Sequence, residues 1–138
     1  ELHLTGWAHV NATGNAQNNV LVGNAGRNVL TGGLGNDSFV FDSLGGQPDR
    51  IADFSLLHDQ ILFETDVFTG IAFGALDVSA FASGAGLTTA QDASDRLIYN
   101  STTGYLYYDA DGLGGVAAVQ VAFLTTSLAL AADSFGGI

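Results

Sequence analysis

Gly14 to Val40 reads GNAQNNVLV, GNAGRNVLT, GGLGNDSFV, three nine-residue units in register. The first column is Gly14, Gly23 and Gly32. The sixth is Asn19, Asn28 and Asp37, and the eighth is Leu21, Leu30 and Phe39. Six polar or glycine residues make a turn, and three make a short strand with one apolar side chain pointing inward. A unit this short cannot bury its apolar side alone, so copies must stack. The reading is therefore all-β, a short parallel β-roll whose turns alternate sides. Each turn then stacks on the turn two units away. Gly32–Asp37 should face Gly14–Asn19, and Gly23–Asn28 should face the chain after Phe41. Upstream, Leu4-Thr5-Gly6 and Asn11-Ala12-Thr13 read as earlier turns with slipped spacing.

The third unit fits G-G-x-G-x-D-x-U-x at every fixed position, the pattern of the RTX calcium-binding repeat. Beyond it stand Phe39-Val40-Phe41, Asp49-Arg50-Ile51-Ala52-Asp53-Phe54 and His58-Asp59-Gln60-Ile61. Further on come Arg96-Leu97-Ile98-Tyr99-Asn100 and Thr103-Gly104-Tyr105-Leu106-Tyr107-Tyr108-Asp109-Ala110-Asp111-Gly112. Together these resemble the C-terminal module of type I-secreted RTX proteins, similar to the tail of serralysin-type proteases. The last segment, Ala131-Ala132-Asp133-Ser134-Phe135, resembles the end near which such proteins carry an uncleaved secretion signal. The resemblance implies calcium as the bound ion, export by a type I secretion machinery, and a bacterial extracellular or cell-surface location. It also implies ligands. Gly32, Gly33 and Gly35 would give carbonyls and Asp37 a carboxylate. Gly14, Asn15, Gln17 and Asn19 lie on the facing turn, and Asp53 and Asp59 would complete the last site. Calcium takes six to eight oxygens and mixes carboxylate with carbonyl, which suits such turns. At Asn19 and Asn28 an amide is neutral and offers one oxygen. A metal-free ladder of amides is the rival there, favoured at Asn28 and even with metal at Asn19. For Asp53 and Asp59 the rival is turn-capping.

Composition narrows the partners. The 138 residues hold 14 acids against three Arg and no Lys, net −11. Residues 1–36 are neutral, so all of that charge lies from Asp37 onward, whereas seven of the eight Asn precede Asp37. Phosphate backbones need cationic surface, so nucleic acid is not an expected partner. Mean hydropathy is +0.29, but no run approaches the ~20 apolar residues of a membrane helix, so membrane insertion is not expected. With no Cys, disulfides and thiolate sites are excluded. With no Met, Glu1 is read as the start of a fragment or processed product.

The division expected is 1–63 for the roll and its closing segment and 64–138 for a C-terminal cap, in one continuous domain. Residues 61–63 should be a strand, with short helices near 76–81 and 89–94. Runs at 97–100, 105–108 and 116–123 should form an antiparallel meander over the roll. Asp109–Gly114 lacks the EF-hand carboxylates at positions five and twelve, where Leu113 and Gln120 stand, so a tight hairpin turn is expected. No H-E-x-x-H or G-x-S-x-G occurs, so no catalytic residues are assigned and no enzyme is expected. The rival is a structural subunit of a calcium-dependent surface layer, adhesin or filament, self-associating through the open end of the roll.

Overall fold

The structure is a computed structural model that describes residues 1–138. Seven short strands wind the roll: β1 Leu2–His3, β2 Ala12–Thr13, β3 Val20–Val22, β4 Val29–Thr31, β5 Ser38–Phe41, β6 Asp49–Ile51 and β7 Gln60–Phe63. Odd strands pair in parallel in one sheet and even strands in the other. The eighth-column residues fall into register. Leu2 pairs with Leu21, Leu21 with Phe39, and Phe39 with Ile61. Opposite them, Ala12 pairs with Leu30 and Leu30 with Ile51. From Ala12 onward these ladder residues are all buried, which is what fixes the register: a one-residue slip would turn each to solvent.

The second half continues both sheets past the last strands of the roll. Six strands follow: β8 Gly74–Ala75, β9 Phe81–Gly84, β10 Leu97–Asn100, β11 Tyr105–Tyr108, β12 Val119–Phe123 and β13 Phe135–Gly137. The antiparallel meander β10–β11–β12 joins the even sheet where β12 runs parallel to β6. β13 lies parallel to β7 in the odd sheet, with β8 antiparallel on its far side. One cluster of 22 buried residues runs from Ala12 to Phe135, so the core crosses residue 63 without a break. Its junction is a chain of rings. Phe41 stacks on Phe63 at 5.5 Å, Phe63 meets Phe68 at 4.9 Å, and Phe68 meets Tyr108 at 5.0 Å. The Tyr108 hydroxyl accepts from the Gly70 N–H, so its polar end is satisfied inside the core.

Three expectations are corrected. The helix near 76–81 is a single 3-10 turn, Val78–Ala80, with Asp77 accepting from the Ser79 N–H. The segment 89–94 is a turn. Asp95 Oδ2 accepts from the N–H groups of Gln91 and Asp92, and Asp92 Oδ1 from Ser94, which removes the donors a helix would use. The link from β11 to β12 is a loop of residues 109–118, too long for a tight hairpin, so residues 116–118 are not strand. Asp109 Oδ1 opens that loop by accepting from Asp111 and Gly112. No helix is long and apolar enough to cross a membrane.

Candidate metal centre

The turn Gly32–Asp37 lies against Gly14–Asn19, as the period requires. Leu34 N–H donates to the Asn15 carbonyl at 3.0 Å, Asn36 N–H to Asn18 Oδ1 at 2.9 Å, and Ser38 N–H to the Asn19 carbonyl at 2.8 Å. Gly33 and Gly35 have φ of +99° and +112°. Only glycine takes that conformation freely, and a Cβ at either would press into the backbone of Asn15 or Gln17.

A ladder runs through the sixth column. Asn19 N–H donates to Asp37 Oδ1 at 2.8 Å, and Asp37 N–H donates to Asp59 Oδ1 at 2.9 Å. Each outer member also caps its own turn. Asn19 Oδ1 accepts from Asn15 N–H, and Asp59 Oδ2 from Ser55 N–H, both at 2.8 Å. By that pattern Asp37 Oδ2 should accept from Gly33. It does not, because Asp53 takes the N–H of Gly32 at 2.8 Å and that of Gly33 at 2.9 Å. Asp37 is only 1% exposed, and its Oδ2 is buried with no hydrogen-bond partner. A buried carboxylate oxygen without a donor is costly and asks for a cation or a proton. The oxygen lies against Gly32, where any Cβ would overlap it.

The donors around it suit a hard cation. The carbonyls of Gly14, Gln17, Gly32, Gly33 and Gly35 accept no protein hydrogen bond. Asp53 and Asp59 use each oxygen for one N–H, and a carboxylate oxygen has a second lone pair. Burial holds the Asp59 carboxyl above the usual range, the Ser55 and Asp37 N–H groups oppose this, and the charges of Asp37 and Asp53 add to it. Positive charge placed among these three acids would relieve that repulsion. A surface hollow beside them is lined by Asp37, His58, Asp59 and Asp133, the last brought in from the end of the chain. No group of three or more His, Asp or Glu side chains forms a cage by itself. The donor set is one of carbonyls with a carboxylate.

The other side of the roll is a ladder without such an orphan. Asn28 is fully buried. Its Oδ1 accepts from Asn24 N–H at 2.8 Å, its Nδ2 donates to the Val10 carbonyl at 2.8 Å, and its N–H donates to Asp49 Oδ1 at 2.8 Å. Gln47 N–H reaches the Ala25 carbonyl, so Gly23–Asn28 does face the chain after Phe41. Sequence reasoning passed over Asp49, because the three-residue-longer spacer before it breaks the nine-residue period. The signal was nonetheless present, since a ladder residue stands two before each buried strand residue: Asn19 before Leu21, Asn28 before Leu30, Asp37 before Phe39, Asp49 before Ile51, Asp59 before Ile61. Burial pushes the Asp49 carboxyl up to about 7, opposed by the Asn28 N–H and aided by the charge of Asp42.

No curated protein and no solved structure matches the chain at a significant level. A family model does match residues 13–43, the stretch from β2 through β5 that carries Asp37 and its facing turn. That stretch is made of RTX calcium-binding nonapeptide repeats, in four copies by that model.

Proposed function

We propose that this chain is a non-catalytic calcium-binding RTX module of a secreted bacterial protein, folding on calcium outside the cell. The observation that carries the reading is the buried, unpartnered Asp37 Oδ2 amid free turn carbonyls, inside the stretch that matches the repeat family. Calcium would supply the counter-charge at that oxygen. Gly32, Gly33, Gly35 and Asp37 hold it, with Gly14, Gln17 and Asn19 on the facing turn and Asp53 and Asp59 closing the far side. Asp53 and Asp59 also fix the turn by their backbone hydrogen bonds, so ordering of the turn and charge neutralisation are coupled.

Export by a type I machinery fits the same reading. The segment that resembles a terminal signal, Ala131–Phe135, is a 3-10 turn at Ala132–Ser134 that leads into β13, the strand buried between β7 and β8. A receptor can read it only in the unfolded chain, which low intracellular calcium would maintain. The test is calorimetric titration of calcium into the protein and into Asp37→Asn. Binding with a Kd of about 10⁻⁴–10⁻³ M is the range of extracellular calcium modules. That binding should be largely lost in Asp37→Asn, and equal affinity in both proteins would remove the site.

A second reading rests on the open end. β1 and β2 have a partner on one side only, and Leu2, Trp7 and Val10 are exposed there, Trp7 by 83%. Stacking through this edge would make the module a subunit of a surface layer, adhesin or filament. Sedimentation over a range of concentrations, with and without calcium, separates the two. A strictly monomeric species throughout removes self-association.

A further inference from the structure

The loop between β11 and β12 holds a second carboxylate oxygen that is buried without a partner. Asp111 Oδ1 has no hydrogen-bond donor, a condition otherwise met by Asp37 Oδ2 alone. The other oxygen of Asp111 accepts from the Val116 N–H at 3.2 Å and lies against Gly114, where a Cβ would overlap it. Asp109, two residues earlier, is 3% exposed. Its Oδ1 accepts from the N–H groups of Asp111 and Gly112, at 3.1 and 2.9 Å, and its Oδ2 accepts from none. Gly112, at φ +66°, packs on the segment before β10, where a Cβ would press on the Asp92 and Ala93 carbonyls. The carbonyls of Asp92 and Gly112 accept no protein hydrogen bond. Residues 92–111 hold four Asp and a single base, Arg96. Its guanidinium donates to the Ala93 and Asp95 carbonyls and not to a carboxylate. None of the four Asp is ion-paired, since the one ion pair in the molecule joins His3 and Asp42.

We propose that this loop binds a calcium ion of its own, through the carboxylates of Asp111 and Asp109 and the carbonyls of Asp92 and Gly112. A buried carboxylate oxygen with no donor asks for positive charge, and no side chain of the protein supplies it there. The donors are all hard oxygens. No Cys occurs and no His lies beyond His58, so softer metals lack their ligands. Magnesium demands a near-ideal octahedron and keeps several waters, whereas calcium accepts an irregular mixture of carboxylate and carbonyl. An EF-hand closes on a carboxylate at its own twelfth position. Here Gln120 stands at that place, in β12, and the segment packed on Gly112 offers the Asp92 carbonyl instead. The site rests on Asp111 and not on the repeats, so it stands or falls apart from the Asp37 site.

The experiment is a titration of calcium, and separately of magnesium, followed by amide chemical shifts at constant sodium chloride. The N–H groups of Gly112, Gly114 and Val116 report on this loop, and those of Gly33 and Gly35 on the repeat turn. The loop amides should shift saturably with calcium and respond far less to magnesium. Asp111→Asn keeps an oxygen for the Val116 N–H, so it should fold with the wild-type circular dichroism spectrum. It should weaken the loop response on the order of tenfold, since ligand charge sets calcium affinity, and leave the response at Gly33 and Gly35 unchanged. Gly114→Ala, which crowds the Asp111 carboxylate, should act in the same direction. A loop response with a silent repeat turn would remove the Asp37 site and keep this one. Loop amides that stay still in millimolar calcium, that answer magnesium equally, or that respond as in wild type in Asp111→Asn would overturn the proposal.

Discussion

At the scale of single residues, Asp37 and Asn19 show how one atom changes the chemistry of a turn. Both accept and donate in the same ladder, yet Asn19 spends its one oxygen on Asn15 N–H and Asp37 keeps an oxygen free. Asn19→Asp should therefore add an oxygen and a charge beside Asp37 and tighten calcium binding. Titration of both proteins checks this, and equal or weaker affinity in the Asp variant counts against the facing-turn site. Asp49 carries a pH dependence. Its folded value near 7 stands above the ordinary 3.8, so the native state binds the extra proton between those values. In chelator, stability should fall as pH rises from about 4 to 7 and then level off. Asp59 is raised too and acts with the same sign. Asp49→Asn keeps an acceptor for the Asn28 N–H and cannot ionise. Thermal melts across that range should show a flatter profile for it, by roughly 1–3 kcal/mol at neutral pH. A profile parallel to wild type would show that Asp49 is not the source.

At the scale of elements, β13 decides whether the second half holds together. It is the strand between β7 and β8, its Phe135 is 1% exposed, and the ring meets Phe81 at 5.0 Å. Ile138 closes the strand, its N–H on the Phe63 carbonyl and its own carbonyl accepting from Thr65. Phe135→Ala should cost about 3–5 kcal/mol, the range for a buried ring lost to a cavity. Chemical denaturation measures it, and a loss below 1 kcal/mol would mean that the terminal strand is frayed in solution. In the repeat turns the matching element test is Gly35→Ala. At φ +112° and against the Gln17 backbone, an added Cβ is strained whatever space is made for it. Calcium affinity and the melting midpoint should both drop, since the same turn serves the fold and the site.

For the whole molecule, Asp37, Asp53 and Asp59 are brought together where the roll closes, with Asp37 and Asp59 buried. Backbone ordering must be offset by something beyond the ladder of Leu, Phe and Ile. A ligand bound only by the folded state adds RT ln(1 + [L]/Kd), about 1–2 kcal/mol per site near ten times Kd. That is a real share of the ~5–15 kcal/mol margin of a domain. Calcium should therefore raise the thermal midpoint and increase the β signal in far-ultraviolet circular dichroism relative to chelator. An unchanged midpoint would leave the Asn and Asp ladders as sufficient support by themselves.

Periodicity alone determined the roll. Nine residues with one inward apolar position force stacking, and stacking forces turns two units apart together, so the pairing of Gly32–Asp37 with Gly14–Asn19 was legible before any coordinate. The candidate ligand residues could be named only through their resemblance to a family, because spacing does not say which oxygens stay free. Tertiary structure decided that, when Asp53 reached back twenty residues and took the N–H that Asp37 would have used. It also decided the second half. Nothing local in Phe135-Gly136-Gly137 demands a strand, and it becomes one because β7 and β8 each leave an edge that only a distant segment can pair. Segment 89–94 shows the reverse limit, since Ala-rich composition suggests a helix while two Asp side chains hold its backbone donors in a turn. Regular repeats are written into sequence because each unit sees the same neighbours. Where a carboxylate is shared, or an edge is filled from far along the chain, the outcome depends on contacts that no local pattern encodes.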